Sequence, residues 1–226
     1  MTTCYFVTGT DTGIGKTLIA NALLIGAAER GLSTLGLKPV SAGCEHRDGQ
    51  WMNDDAYELM RNSSTNLAYP DVNPVALREA MAPHIAAARE NRMMDAAALA
   101  AHCRTQAARA DFCVIEGAGG WLVPVNAEAT MADLAGATGA AVILVVGMRL
   151  GCLNHALLTA QAIETAGLNL AGWVANHVDP EMVVAEENVT SLAGRIKAPL
   201  LGTVPFATEP NSAQVASKLN LEALCT

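Results

Sequence analysis

The residues Gly13-Ile14-Gly15-Lys16-Thr17 place two glycines, a lysine and a hydroxyl in close succession, directly after Val7-Thr8-Gly9-Thr10-Asp11-Thr12. That order suits a polyphosphate. Glycines let the backbone curl so that successive N–H groups point inward at an anion. A helix N-terminus adds unpaired donors and partial positive charge. Lys16 reaches toward β- and γ-phosphates, and the Thr17 hydroxyl can ligate Mg²⁺. The strict pattern G-x-x-x-x-G-K-[ST] asks for a glycine five residues before Gly15. Thr10 stands there, and the glycine comes one place earlier, at Gly9. A glycine-rich turn without a ligand is the alternative reading.

Further residues with chemistry fall at the ends of apolar runs. Glu116 closes Phe112-Cys113-Val114-Ile115 and precedes Gly117-Ala118-Gly119-Gly120. A carboxylate beside a phosphate loop can hold Mg²⁺. Asp54 and Asp55 open a helical stretch, either as its cap and first-turn acid or as a second source of Mg²⁺ ligands. Lys38 can be a surface lysine, or a second cation that stabilises charge on a transferring phosphoryl group. Asn176 and the turn Pro205-Phe206-Ala207 can read a base edge, or can be simple turn residues. Gly151 and the N–H groups after it offer a second anion site at a helix start. His155 has no nucleophile or metal partner in the pattern and reads as structural.

The elements that position these groups alternate. Cys4–Val7 is a strand, Leu18–Arg30 a helix closed by Gly31, and Thr34–Val40 a strand. Residues 41–53 read as a loop, 54–61 as a helix, and 62–83 as a long Asn-, Ser- and Pro-rich loop. Helices follow at 84–90 and 95–109, and an apolar strand ends at Glu116. Ala141–Val146 is a strand, Leu153–Ala166 a helix, and Leu170–Ala175 a strand that runs into Asn176. A helix over 181–196 leads to the strand Leu200–Val204, and a last helix covers 213–224. Strands alternating with helices predict parallel βαβ units in a doubly wound, mainly parallel α/β sheet of the P-loop NTPase kind. Ligands of such sheets bind beyond the carboxyl ends of the strands. Residues 9–17, Lys38, Glu116, Asn176 and Pro205 all fall at such ends, so they are expected to converge on one crevice. No linker, repeat or low-complexity tract divides residues 1–226, which read as a single domain.

The formal net charge is −8, with Lys plus Arg totalling 14. That excludes the basic surface a nucleic-acid binder needs. Leu134–Met148 lacks charge but contains Gly136, Gly139 and Gly147 and is shorter than the ~20 residues of a spanning helix, so no membrane partner is expected. The first residues lack a basic n-region, so no signal peptide is expected. The six cysteines form no C-x-x-C pair. They read as reduced, mostly buried thiols of a cytoplasmic protein.

Several motifs together resemble one family, the dethiobiotin synthetases. Phe6–Thr12 running into Gly15-Lys16-Thr17 is similar to that family's phosphate loop, including the glycine offset. Leu37-Lys38-Pro39-Val40, Val114–Gly120, Leu150–Ala156, Gly172–Asn176 and Gly202–Pro205 are similar to its remaining motifs. The resemblance implies an ATP- and Mg²⁺-dependent ligase. It would close 7,8-diaminononanoate and CO₂ (or bicarbonate) into a cyclic urea, giving dethiobiotin, ADP and phosphate. It also implies a homodimer with sites at the interface. On that resemblance Gly13, Ile14, Gly15, Lys16, Thr17 and Leu18 hold the phosphates. Thr17, Asp55 and Glu116 hold Mg²⁺, and Lys16 and Lys38 are the catalytic cations. Gly117, Ala118 and Gly119 lie beside the nucleotide, with Asn176, Pro205, Phe206, Ala207 and Asn211 at the adenine. Gly151, Cys152, Leu153 and Asn154 of a partner subunit would take the substrate carboxylate. The family often has a hydroxyl where this chain has Ala42, so Ser41 or Thr12 is expected to supply it. The competing expectation from the same loop class is a partitioning-type ATPase that switches a protein partner. The acid-bearing, base-free stretch 219–226 disfavours its membrane-binding form.

Overall fold

The apolar runs of the sequence become strands buried on both faces, and they pair in parallel. The computed structural model describes residues 2–222 and 224. In chain order these form β1 (Thr3–Gly9), α1 (Lys16–Ala28), β2 (Thr34–Leu37), β3 (Val40–Ala42), β4 (Glu45–Arg47), β5 (Gln50–Met52), α2 (Asp54–Asn62), α3 (Tyr69–Val72), β6 (Val75–Leu77) and α4 (Pro83–Arg89). Then come α5 (Ala96–Ala107), β7 (Phe112–Glu116), α6 (Met131–Thr138), β8 (Ala141–Met148), α7 (Cys152–Thr165), β9 (Leu170–His177), α8 (Ala185–Ala193), β10 (Leu200–Val204) and α9 (Ser212–Ala216). The main sheet has six strands in the order β10-β9-β8-β1-β7-β2. Every pairing in it is parallel.

Side chains of successive strand residues alternate between two cores. In β8, Val142, Leu144 and Val146 pack with α5, α6 and α7 on one face. Ile143 and Val145 pack with α1 and α9 on the other. This gives an α/β/α sandwich, the layering expected for parallel strands with no wet face. Removing a large side chain from either core, such as Leu144 or Leu23, would cost about 2–5 kcal/mol. Parallel pairing also puts every strand's carboxyl end along one edge. The strand order reverses at β1, with β7 on one side and β8 on the other, so the crevice opens directly after β1.

Several segments depart from the reading of the sequence. The strand expected over 34–40 ends at Leu37. Lys38-Pro39 then carries the chain into a separate two-stranded sheet, β3 with β6. The stretch 41–53 is not plain loop: it holds β3 and the hairpin β4–β5. That hairpin turns at Asp48-Gly49, both with positive φ of 50° and 83°, the tight turn that matches strand twist. The 62–83 stretch is not structureless either, since it contains α3 and β6. The helix expected over 181–196 shortens to Ala185–Ala193, because Asp179 accepts from the Glu181 N–H in a local turn that replaces the first helical turn. The last helix ends at Ala216, and the chain turns so that the Asn220 N–H bonds Leu201 of β10 at 2.7 Å. Ala223 lies outside the described residues, as does Cys225. Cys4, Cys44, Cys103, Cys113 and Cys152 are unbridged, and all but the half-buried Cys4 are buried. Among the described residues, no helix is long and apolar enough to cross a membrane.

Candidate active site

The loop after β1 is built on the sheet rather than suspended above it. Ile14 is 1% exposed and lies across the ends of β1 and β8. A methyl group on Gly147 would come within 2.5 Å of its Cγ2, and one on Gly9 within 2.5 Å of its Cδ1. Only bare backbone at both positions lets Ile14 seat there. The Asn176 amide at the end of β9 then donates to the Ile14 carbonyl at 2.8 Å. Gly15 follows with φ +86°, and a Cβ on it would meet Asn176 Nδ2 at 2.3 Å. Helix α1 starts at the next residue with no side-chain cap. Its first N–H groups are therefore open to an anion.

Two lysines converge here. Lys16 donates to the Asp11 carbonyl at 2.8 Å, bracing the loop. Asp11 itself pairs with Arg149 at the end of β8. Burial, reinforced by the charge of Lys38, pulls the Lys16 pKa down to about 8. Lys38 pairs with Glu116 and lies 3.1 Å from Asp55 Oδ2. Burial alone would lower its pKa, but Glu116 and Asp55 outweigh that and raise it. Lys38 is therefore an ammonium, suited to stabilising negative charge and unsuited to accepting a proton. Burial raises the Glu116 pKa, with Lys38 opposing it.

The donor set fits Mg²⁺. Thr17 Oγ1 donates to Glu116 Oε1 at 2.9 Å, and Asp55 stands across Lys38 from it. Glu116 Oε2 is buried with no hydrogen-bond partner among the described residues. An orphaned buried carboxylate oxygen is costly unless a cation or water meets it. Among the described residues no group of three or more His, Cys, Asp or Glu side chains could hold a metal. One hydroxyl and two carboxylates, completed by phosphates and water, is what Mg²⁺ accepts.

These groups form one wall of a cleft of about 740 Å³ that also takes in Thr12, Gly13, Gly15, Ala118 and Gly119. The rest of the lining is mostly apolar: Ala42, Ala80, Met81, Ala82, Pro83 and Val123, with Ser41 and Asn53 among them.

The comparisons with known proteins agree with one another. The family model described as an AAA domain matches residues 3–214. The ATP-dependent dethiobiotin synthetase BioD of Cellvibrio japonicus is 53% identical over 220 residues, covering 97% of this chain and 96% of that protein. The enzyme of the same name from Aromatoleum aromaticum is 50% identical over 217 residues, covering 96% of each. The chain belongs to the dethiobiotin synthetase family. Solved structures supply the fold alone. MinD of Pyrococcus horikoshii matches with a TM-score of 0.59 at 16% identity, over 99% of this chain and 89% of that one. A ParA family ATPase of Chlorobium tepidum matches at 0.58 and 10%, over 100% and 97%. The partitioning-type alternative thus shares this architecture without the sequence.

The residues expected to act in a dethiobiotin synthetase are distributed unevenly. Lys16, Lys38, Thr17, Asp55 and Glu116 meet in the cleft, with Gly117 beneath them, its carbonyl 3.4 Å from Lys38 Nζ. Leu18 faces away and packs against the core of α1. Ser41 borders the cleft, but its hydroxyl donates to Asn73 at 2.7 Å. Thr12 is exposed at the rim. Asn176 braces the loop from below and does not line the cleft. Pro205, Phe206 and Ala207 are exposed past β10. Asn211 caps α9 by accepting from Ala213 and Gln214. Gly151, Cys152, Leu153 and Asn154 open α7 and do not border this chain's own cleft. The reading of the sequence missed Asn53, Asn73, Tyr69 and the 80–83 wall. Only the Asp48-Gly49 turn signal pointed to order in that part of the chain.

Proposed function

We propose that the chain is an ATP-dependent cyclo-ligase that joins 7,8-diaminononanoate and CO₂ into the cyclic urea of dethiobiotin, releasing ADP and phosphate. One observation carries this reading: Lys38, a buried ammonium held by Glu116 and Asp55, meets Lys16 and Thr17 of the phosphate loop in the cleft. A nucleotide switch needs the loop and a metal ligand. A second fixed cation beside the loop suits an anion that meets the γ-phosphate, which is what a carbamate is. The apolar part of the lining, from Met81 to Pro83, suits an alkyl chain.

The protein's part is electrostatic. One substrate amine adds to CO₂ and loses a proton, giving a carbamate. The carbamate oxygen attacks the γ-phosphorus, and ADP leaves. The second amine then attacks the carbonyl carbon of the mixed anhydride, expels phosphate and loses its proton. The urea ring is closed. Lys16 and Lys38 remain protonated throughout and stabilise the charge on the oxygens of the transferring group. The open amides of Gly13–Leu18 hold the phosphates in line. Thr17, Asp55 and Glu116 would hold Mg²⁺, which neutralises phosphate charge when bound. In this reading Asn176, Pro205–Ala207 and Asn211 would hold the adenine. For Asn211 that role requires the side chain to leave its cap or to act through its backbone.

The active unit in this reading is a homodimer in which Gly151–Asn154 of one copy take the substrate carboxylate of the other. Leu150, 96% exposed just ahead of α7, and the exposed Leu158 on that helix support it as uncovered apolar side chains. The test is phosphate release from ATP with and without the diamine and bicarbonate, followed by mass detection of the urea. Turnover indifferent to the diamine would sink the ligase reading in favour of the switch. Sedimentation as a monomer at working concentration would remove the shared site.

A further inference from the structure

We propose that Asn73 is a positioning residue of this reaction, a single buried amide that fixes Lys38, sets the polarity of Ser41 and, through Tyr69, anchors the helix that carries Asp55. The inference rests on the ligase reading above.

Asn73 is 3% exposed and follows α3. Its side chain is used on both sides. Nδ2 lies 2.6 Å from the Lys38 carbonyl and 3.4 Å from that of Val75. Oδ1 lies 2.7 Å from Ser41 Oγ and 2.9 Å from Tyr69 Oη. A carbonyl can only accept, so the atom facing Lys38 must be the donor, and Oδ1 must face the two hydroxyls. Both hydroxyls therefore donate to Asn73. With its proton committed there, Tyr69 can accept, and it does so from the Asn53 N–H at 2.7 Å. Asn53 is the N-cap of α2, accepting from Ala56 at 3.4 Å, and Asp55 sits in the first turn of that helix. Ser41, its proton likewise committed, offers only lone pairs to the cleft it borders. It can receive an N–H from a substrate amine and cannot donate to a carboxylate.

The clamp on Lys38 is two-sided. The Lys38 N–H bonds Val72 at 2.9 Å while the Lys38 carbonyl takes the Asn73 amide, and the Val75 N–H bonds Pro39 at 3.3 Å. These bonds sit where the chain leaves the main sheet at Leu37, so no ladder partner of that sheet fixes Lys38 itself. A lysine's flexible stem delivers its ammonium accurately only from a fixed backbone. A shift of about 1 Å at such a group can cost about 10²-fold in rate.

Three variants of the full chain test this: Asn73→Asp, Asn73→Ala and Tyr69→Phe. The aspartate keeps shape but turns an oxygen toward the Lys38 carbonyl. The expected result for Asn73→Asp is a loss of about tenfold to hundredfold in kcat for dethiobiotin formation, with KM for ATP little changed. Asn73→Ala should lose a similar amount. Tyr69→Phe leaves the Lys38 clamp in place and frees only the cap of α2. It should raise the Mg²⁺ concentration for half-maximal rate and lower kcat less than the Asn73 variants do. A merely structural role would lower Tm and leave both the kcat-to-KM pattern and the Mg²⁺ dependence of the folded protein as in the parent. A folded Asn73→Asp chain with the parent's kcat overturns the inference, as does Tyr69→Phe with an unmoved Mg²⁺ requirement. A parent chain inert toward the diamine overturns the ligase reading instead.

Discussion

The phosphate cleft and the turn after β10 are built differently. In the phosphate cleft Lys16, Lys38 and Glu116 are buried, and each is held by at least one named partner on another segment of the chain or on the loop itself. Past β10, outside that cleft, Pro205, Phe206, Ala207 and Asn211 are exposed, and the Asn211 side chain serves its own helix. In the ligase reading the difference follows from what each region must do. Charge that develops in a transition state is stabilised only by groups fixed beforehand in a site that excludes water. A base needs stacking and one or two hydrogen bonds, which an exposed turn can supply.

That contrast makes graded predictions. Lys38→Ala should have the largest effect, cutting kcat by about 10²–10³-fold while nucleotide binding persists. Phosphate release and equilibrium binding, measured side by side, separate the two. Full activity would show that the buried pairing is structural only. Gly15→Ala comes next. A left-handed backbone with a β-carbon adds about 1–3 kcal/mol of strain, and the Asn176 contact at 2.3 Å adds to it. Nucleotide affinity, read by calorimetry, should fall accordingly, and an unchanged affinity would mean that the loop is not preformed.

The third prediction concerns pH. Lys16 has its pKa lowered from 10.5 to about 8, and an anion favours the protonated form. Nucleotide affinity should therefore weaken as pH rises past 8, by up to about tenfold per unit. Binding near pH 8 should take up a proton, visible as a dependence of the binding enthalpy on buffer. The free protein responds oppositely. Between about 8 and 10.5 the unfolded chain holds more protons at this site than the folded one, so the Lys16 contribution to stability rises with pH there. The smallest effect belongs to the exposed turn. Phe206→Ala should raise KM for ATP by about fivefold to tenfold, the low end of one lost stacking contact, and leave kcat alone. A large drop in kcat would erase the contrast between the two regions.

Much of the phosphate cleft was legible because it is local. Residues 13–17 are consecutive, and Glu116 ends an apolar run with glycines after it, so pattern and period place both. The parallel sheet followed from alternation alone, and Leu200–Val204 falls where its apolar run predicts. The segments 41–53 and 62–83 were misread for one physical reason. Their order comes from buried side-chain bonds among distant residues, such as Asn73 with Lys38 and Ser64 with Thr34 at 2.7 Å. Such bonds leave no periodicity. The Asp48-Gly49 turn was the exception, a local signal that could have been read. In the sequence Gly147 reads only as a break in an apolar stretch. Its reason is Ile14, which is 133 positions away along the chain (147 − 14).

Ile14 also determines how the phosphate loop moves. Fully burying such a side chain is worth about 1.5–3 kcal/mol, and here it is wedged into the same core as β1 and β8. The loop cannot lift off the sheet without exposing it. Local opening is therefore penalised, and the Ile19 N–H, bonded to the Gly15 carbonyl at 3.1 Å, should exchange with solvent deuterium slowly even before nucleotide arrives. A ligand meeting such a loop loses little affinity to ordering it. The grip is set when the chain folds, and binding has only to fill it.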